Sequence, residues 1–320
     1  MTGKRLLLLL LAGLLLVGAA IWLSASKPEP SVAIGAPVLP QLQANLNAVT
    51  EVRLTKGDGS SVTLTRRASD WQVAERGFRA DSGRLRKLLL DLAALEIRAE
   101  KTSDPANYAR LGVEPAEGAT ATSVKIIVVT PEREWPLLVG KQDSPRAGFV
   151  RVPEQQTSYL AEPLITVDLD PKRWLDRKLL DIPGKTVRSI TVVPAEGPVY
   201  TVSRDTAAQS DLSLVDMPRG ASLAAPGAAN AAADALTDLT FDDVRRRDAN
   251  ANAVNTRATY TYFDGATLTV AGQRDAAHAY ISIVAASDAT LSAATNGWEF
   301  EIPSWKFEQF FKPRGDLLAK

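Results

Sequence analysis

The sequence predicts an α+β fold: one N-terminal transmembrane helix followed by two duplicated antiparallel-sheet-plus-helix modules, each of the form β-β-β-α-β-β-β-β. Three observations predict it. An uncharged apolar run opens the chain, a set of alternating strands broken by tight turns occurs twice, and a leucine stripe at helical spacing follows the first set.

The opening run, Leu6 to Leu23, is 18 residues long and carries no charge. As a helix it spans about 27 Å, close to the ~30 Å hydrocarbon core of a bilayer. Leu6, Leu10, Leu14, Val17 and Ile21 would face lipid, with Trp22 at the interface. Lys4 and Arg5 precede the run and should stay cytoplasmic, which predicts a single-pass inner-membrane protein with the bulk of its chain in the periplasm. Ser24-Ala25-Ser26 is a weak signal-cleavage site, but the length of the run favours an uncleaved anchor over residues 1–26. Residues 27–47, with prolines at 28, 30, 37 and 40, read as an extended stalk.

The remaining chain suits two units, 48–182 and 183–320. The first opens with a hairpin, Val49 to Leu54 and Ser61 to Arg66 around an Asp58-Gly59 turn, then a short strand at Trp71 to Val73. Asp81 and Ser82 cap a helix whose Leu85, Leu88, Leu89, Leu92 and Leu95 form one apolar stripe. Four strands follow as a meander: Ser123 to Val129, Trp135 to Gly140, Gly148 to Val152 and Thr157 to Leu160.

The second unit repeats this order. Val187 to Val193 and Val199 to Arg204 flank a Pro194 to Pro198 turn, and Leu212 to Val215 stands where the Trp71 strand stood. After a mobile loop from Pro218 to Ala229, a weaker helix is expected from Ala231 to Val244. Strands then run from Ala258 to Phe263, Thr267 to Gly272, Ala279 to Val284 and Trp298 to Ile302. Val52 and Ile190 lie 138 residues apart, and so do the pairs Leu179-Leu180 and Leu317-Leu318, which suggests that both copies end alike.

Copy one resembles a bacterial family catalogued only as domain of unknown function 4340. The residues that carry the resemblance are Trp71-Gln72-Val73, the Ala80-Asp81 helix start, the leucine helix to Leu95, Tyr108 to Pro115, Leu138-Val139-Gly140, Phe149-Val150-Arg151 and Trp174 to Leu180. The resemblance implies an N-terminal membrane anchor, a large extracytoplasmic part and partners among ABC-transporter-like permease or auxiliary subunits of the gliding-motility type. The family has no assigned catalytic residues.

Composition narrows the chemistry. The 320 residues include 37 Lys+Arg against 37 Asp+Glu, so no global positive excess points to nucleic acid. Without Cys there is no disulfide, thiolate nucleophile or lipoprotein anchor, and one His leaves metal binding to carboxylates. No cofactor is expected. Ser24 to Lys27 matches an acylation motif in spacing alone, and Pro183 to Thr186 ends like a phosphate loop but has Leu179 where the first glycine belongs. His278 reads as a surface residue at a strand start. Asp168 with Asp170, and Asp242 with Asp243, read as turn or helix-start acids before cation ligands.

Two features suit a partner surface. Arg245-Arg246-Arg247 reads as a solvated helix end able to meet an acidic partner or anionic lipid, and Trp305, Phe310 and Phe311 are candidates for a docking patch if exposed. The expectation is therefore a non-enzymatic, periplasm-facing accessory or scaffold subunit of an ABC-transporter-like complex. Alternatives are a stand-alone binding module for a lipid or cell-envelope glycan, which should hold a closed apolar cavity, and an envelope hydrolase using paired carboxylates.

Overall fold

The computed structural model describes residues 33–248 and 256–319. Over these residues the chain is mostly antiparallel sheet with few helices, which replaces the expected α+β architecture. The longest described helix, Ser82–Ala93, has 12 residues, and among the described residues no helix is long and apolar enough to cross a membrane. The expected anchor residues Leu6, Leu10, Leu14, Val17, Ile21 and Trp22 lie outside the described residues, as do Ser24 to Lys27.

The first sheet is built from β1 (Glu51–Lys56), β2 (Ser61–Arg67), β3 (Asp70–Val73), β4 (Phe78–Arg79), β5 (Glu96–Glu100), β6 (Val124–Val129), β7 (Glu134–Gln142), β8 (Gly148–Arg151) and β9 (Tyr159–Glu162). Its order is β4-β3-β2-β1-β6-β7-β8-β9-β5. Alternation sets the faces: Val52, Leu54, Val62, Leu64, Ile126 and Val128 point into the core while their neighbours face outward. The β1–β2 turn closes at Gly59, which has φ of 90°, and Asp58 accepts a hydrogen bond from the Ser60 N–H. The Ser82–Ala93 helix starts where the sequence places it, with Asp81 accepting from the Arg84 N–H and Leu85, Leu88, Leu89 and Leu92 buried.

Part of the expected stalk belongs to this body. The Val38 N–H donates to Leu95 O at 2.8 Å and the Gly35 N–H to Ile97 O at 2.8 Å, and Leu42 is buried. Four prolines between residues 28 and 40 suggested an extended tether, and extended chain with free backbone groups is also what docks beside the start of β5.

The second sheet comprises β11 (Val187–Val193), β12 (Tyr200–Ser203), β13 (Ser213–Leu214), β15 (Asp243–Arg246), β16 (Thr256–Tyr262), β17 (Thr267–Arg274), β18 (Ala279–Ala286) and β19 (Trp298–Ile302). A separate two-stranded ribbon pairs β10 (Lys178–Leu180) with β14 (Leu239–Thr240). The order of the large sheet is β13-β12-β11-β16-β17-β18-β19-β15. With β4 set aside, this is the order of the first sheet strand for strand, β1 matching β11 and β5 matching β15. Val52 pairs with Leu64 as Ile190 pairs with Val202, so the offset of 138 residues holds on the first hairpin.

Four expectations about the copies are corrected. Helix from Ala231 to Val244 stops at Asp234, because Asp238 adopts φ of 46° and Val244 then alternates inward between Asp243 and Arg245 against β19. Each copy therefore carries an extra strand, β5 or β15, that the form β-β-β-α-β-β-β-β omits. At the far end, Leu318 bridges Leu223 as Leu175 bridges Ala80, so Leu317-Leu318 corresponds to Trp174-Leu175, whereas Leu179 and Leu180 lie in the β10 ribbon. The same bridge ties down the loop from Pro218 to Ala229, where the Ala224 N–H donates to Leu317 O at 2.9 Å.

One contiguous hydrophobic core runs through both sheets. At their junction Phe78 of the first sheet meets Trp298, Phe300 and Phe241 edge-on, with centroids 5.0, 5.6 and 5.7 Å away.

Candidate functional site

The residues that carry the family resemblance turn out to secure the fold. Arg151 is buried, lies over the Tyr108 ring at 4.3 Å, and donates to the carbonyls of Val113, Pro153 and Gln155. Gly140 admits the Tyr108–Leu111 helix end, since a Cβ there would stand 2.4 Å from Leu111 O. Trp174 donates from its indole to Asp168 O, and its own carbonyl accepts from the Asp81 N–H, fixing the start of the leucine helix.

An ionic cluster covers the aromatic junction and joins the two copies. Arg76, on the β3–β4 turn, grips Asp243 of β15 with Nε–Oδ1 at 2.6 Å and Nη2–Oδ2 at 3.1 Å. Lys172 reaches the same carboxylate at 3.3 Å and Glu301 of β19 at 3.8 Å, and Glu301 meets Nδ1 of His278 at 2.7 Å. Burial pushes the Asp243 carboxyl up, but the Arg76 fork, the Val244 N–H and Lys172 more than reverse this and hold it below the ordinary carboxylate range. The same fork raises Arg76, and Lys172, despite the opposing effect of burial, is raised by Asp243 and Glu301. Asp242 is likewise taken by Arg177, while Asp168 and Asp170 accept backbone N–H bonds at a helical turn. Among the described residues no group of three or more His, Asp and Glu is arranged to hold a metal.

The arginine run is a strand and not a helix end. Arg245 lies over the Tyr280 ring and pairs with the buried Glu299 at 2.8 Å, Arg246 lies over Trp298 at 3.6 Å, and Arg247 is exposed beyond the strand end. The aromatic end divides in the same way. Phe310 and Phe311 are buried and belong to the core, which removes them from any partner surface, whereas Trp305 is 60% exposed.

Trp305 stands at the edge of a groove of about 800 Å³ between the Ser304–Phe310 helix and the second sheet. Phe307 and Phe311 form its floor against Gly272 of β17, where an added Cβ would lie 2.2 Å from the Phe311 ring. Around them stand Gln273, Arg274, Glu308, Gln309 and Lys312, with Arg274 and Glu308 paired at 3.2 Å. Lys306 lies over the Trp305 ring at 5.4 Å and donates to Thr237 O. Beneath the groove the Tyr200 hydroxyl donates to Lys312 O at 2.7 Å, and burial pushes that phenol up to about 12. Sequence reasoning found Trp305 but missed Gly272, Arg274 and Gln309. The signal for Gln309 was present: Trp305, Glu308, Gln309 and Lys312 fall at i, i+3, i+4 and i+7, a polar stripe opposite Phe307, Phe310 and Phe311.

No curated protein matches the chain. Residues 71–261 match the family described as domain of unknown function (DUF4340), a stretch running from β3 of the first sheet into β16 of the second. That covers more than half of the sequence, and the chain belongs to the domain of unknown function (DUF4340) family.

Proposed function

We propose that the protein is a non-enzymatic accessory or scaffold subunit of an ABC-transporter-like membrane complex of the gliding-motility auxiliary type. In this reading it is attached to the inner membrane with its two-sheet body in the periplasm. The observation that carries the proposal is where the charged groups go. Arg76, Lys172, Asp243, Glu301 and His278 are engaged with one another across the junction of the two sheets, an arrangement that stiffens a body and spends the titratable groups on doing so. Membrane attachment draws its support from sequence, the uncharged run Leu6 to Leu23 behind Lys4 and Arg5. The balance of 37 basic against 37 acidic residues supports protein and lipid partners over nucleic acid.

Affinity purification of the tagged full chain from membranes in mild detergent tests this. The expected result is co-recovery of an ABC-type permease or its auxiliary subunit at fixed stoichiometry. Recovery of the chain alone, with that permease present in the same membranes, would overturn it. The alternative of a stand-alone binding module draws support from the groove beside Trp305, although that groove is lined by polar groups as well as rings and is not the closed apolar cavity a lipid would need.

A further inference from the structure

We propose that the groove beneath the Ser304–Phe310 helix is a carbohydrate-binding site, with Trp305 as the stacking face and Gln309 as a hydrogen-bonding group on its wall. It names a ligand class for the binding-module alternative and stands or falls apart from the accessory-subunit reading, since a scaffold with or without a permease can hold a glycan.

Four features of the groove lead to this ligand. The first is the aromatic face. Trp305 is 60% exposed on a chain whose other large aromatics at this end are buried, and Lys306 covers one face of its ring. The electron-rich face of an indole attracts the slightly positive C–H groups on the flat side of a pyranose, the contact for which an exposed Trp at a groove edge is suited. The second is an unused acceptor. Gln309 Oε1 is buried without a hydrogen-bond partner, one helical turn from Trp305 on the same face. An unpaired buried acceptor is costly, and a turn of the Gln309 amide that presented it to a ligand hydroxyl in the groove would recover that cost.

The third feature is charge. Two cations, Arg274 and Lys312, stand against three carboxylates, Glu196, Glu308 and Asp316, and one pair is already made between Arg274 and Glu308. Such a near balance gives no strong field for phosphate or another highly charged ligand, yet planar amides and carboxylates supply the donors and acceptors that neighbouring hydroxyls need. The fourth is the floor. Phe307 and Phe311 are the apolar residues that a fatty chain would need, and both are already buried against Gly272. The walls left for a ligand mix polar side chains with Ala195, Ala231 and Pro313, as the two kinds of face on a sugar ring require, and the volume of about 800 Å³ accommodates several such rings.

The test uses the full chain in detergent micelles, titrated by calorimetry with chitotetraose, cellotetraose and maltotetraose, and with oleate as the apolar comparison. The expected result is saturable binding of at least one tetrasaccharide. Trp305→Ala should weaken it by at least about tenfold and Gln309→Leu by about threefold or more, with the melting temperature no lower than that of the wild type, because Trp305 is exposed and Gln309→Leu removes an unpaired buried acceptor. Failure of all three sugars to bind, binding that survives Trp305→Ala, or binding of oleate alone would each overturn the proposal. If Trp305→Ala abolishes co-recovery of the permease while the wild-type chain binds no sugar, the groove is a protein interface and the carbohydrate proposal is wrong.

Discussion

Gly272 shows how much of the C-terminal groove depends on a single missing methyl group. Because a Cβ at this position would lie 2.2 Å from the Phe311 ring and 2.8 Å from the Phe307 ring, both rings must shift to admit it. Gly272→Ala should destabilise the protein by about 1–3 kcal/mol, read as a shift in the midpoint of denaturant unfolding, and a neutral result would mean that the rings are not seated on β17. Arg151 is a second such residue. Replacing it with Ala leaves the carbonyls of Val113, Pro153 and Gln155 without their donor and uncovers the Tyr108 ring, and we expect a loss of about 2–4 kcal/mol. Residues with these roles were only half legible. Phe149-Val150-Arg151 stood out as part of a family pattern, but nothing in the order of residues says that an arginine points inward to the Val113 carbonyl, 38 positions away, and to two carbonyls of the turn that follows it.

At the scale of elements, hairpins and the capped leucine helix were legible because their signals are local: Asp58-Gly59 for a turn, Asp81 for a cap, and leucines at i, i+3 and i+4 for a face. The edge strands β5 and β15 were not. Each buries few residues, Ile97 in one and Val244 in the other, so alternation is too short to register, and Arg245-Arg246-Arg247 looked like a solvated helix end. What makes β15 a strand is its partner β19, supplied by a segment some 55 residues later, together with the rings of Tyr280 and Trp298 under its arginines. Phe78 couples the two copies at this same place. Phe78→Ala should cost about 3–5 kcal/mol, and it should lower the stability of the second sheet as much as that of the first, checked by hydrogen exchange at the Tyr260 and Val270 amides. Loss of protection confined to the first sheet would contradict that coupling.

For the whole molecule, the repeat was legible at its start and misread at its end. The 138-residue spacing of Val52 and Ile190 reflects matched hairpins, whereas the same spacing of Leu179 and Leu317 is accidental, because the bridges to Ala80 and Leu223 match Leu318 with Leu175 and not with Leu180. The ionic junction was beyond sequence reasoning altogether, since Arg76 and Asp243 are 167 positions apart. That junction makes stability depend on acid. Asp243 has its carboxyl held below the ordinary value of 3.8, so it stabilises the fold only while ionised. Its contribution is complete above about pH 4 and disappears as the pH falls below that. Asp243→Asn should therefore cost about 1–3 kcal/mol at pH 7, and the difference from wild type should shrink toward pH 3. A gap that is constant with pH would show that the Arg76 fork contributes nothing.

The scaffold reading rests on the two copies forming one body, with Phe78, Phe241, Trp298 and Phe300 as its joint and the Arg76–Asp243 fork over it. Scanning calorimetry of the full chain in mild detergent tests this most directly. The account predicts a single unfolding transition whose calorimetric and van't Hoff enthalpies agree, and which moves as a whole in the Phe78→Ala variant. Two resolved transitions, with only one of them displaced by that substitution, would contradict it.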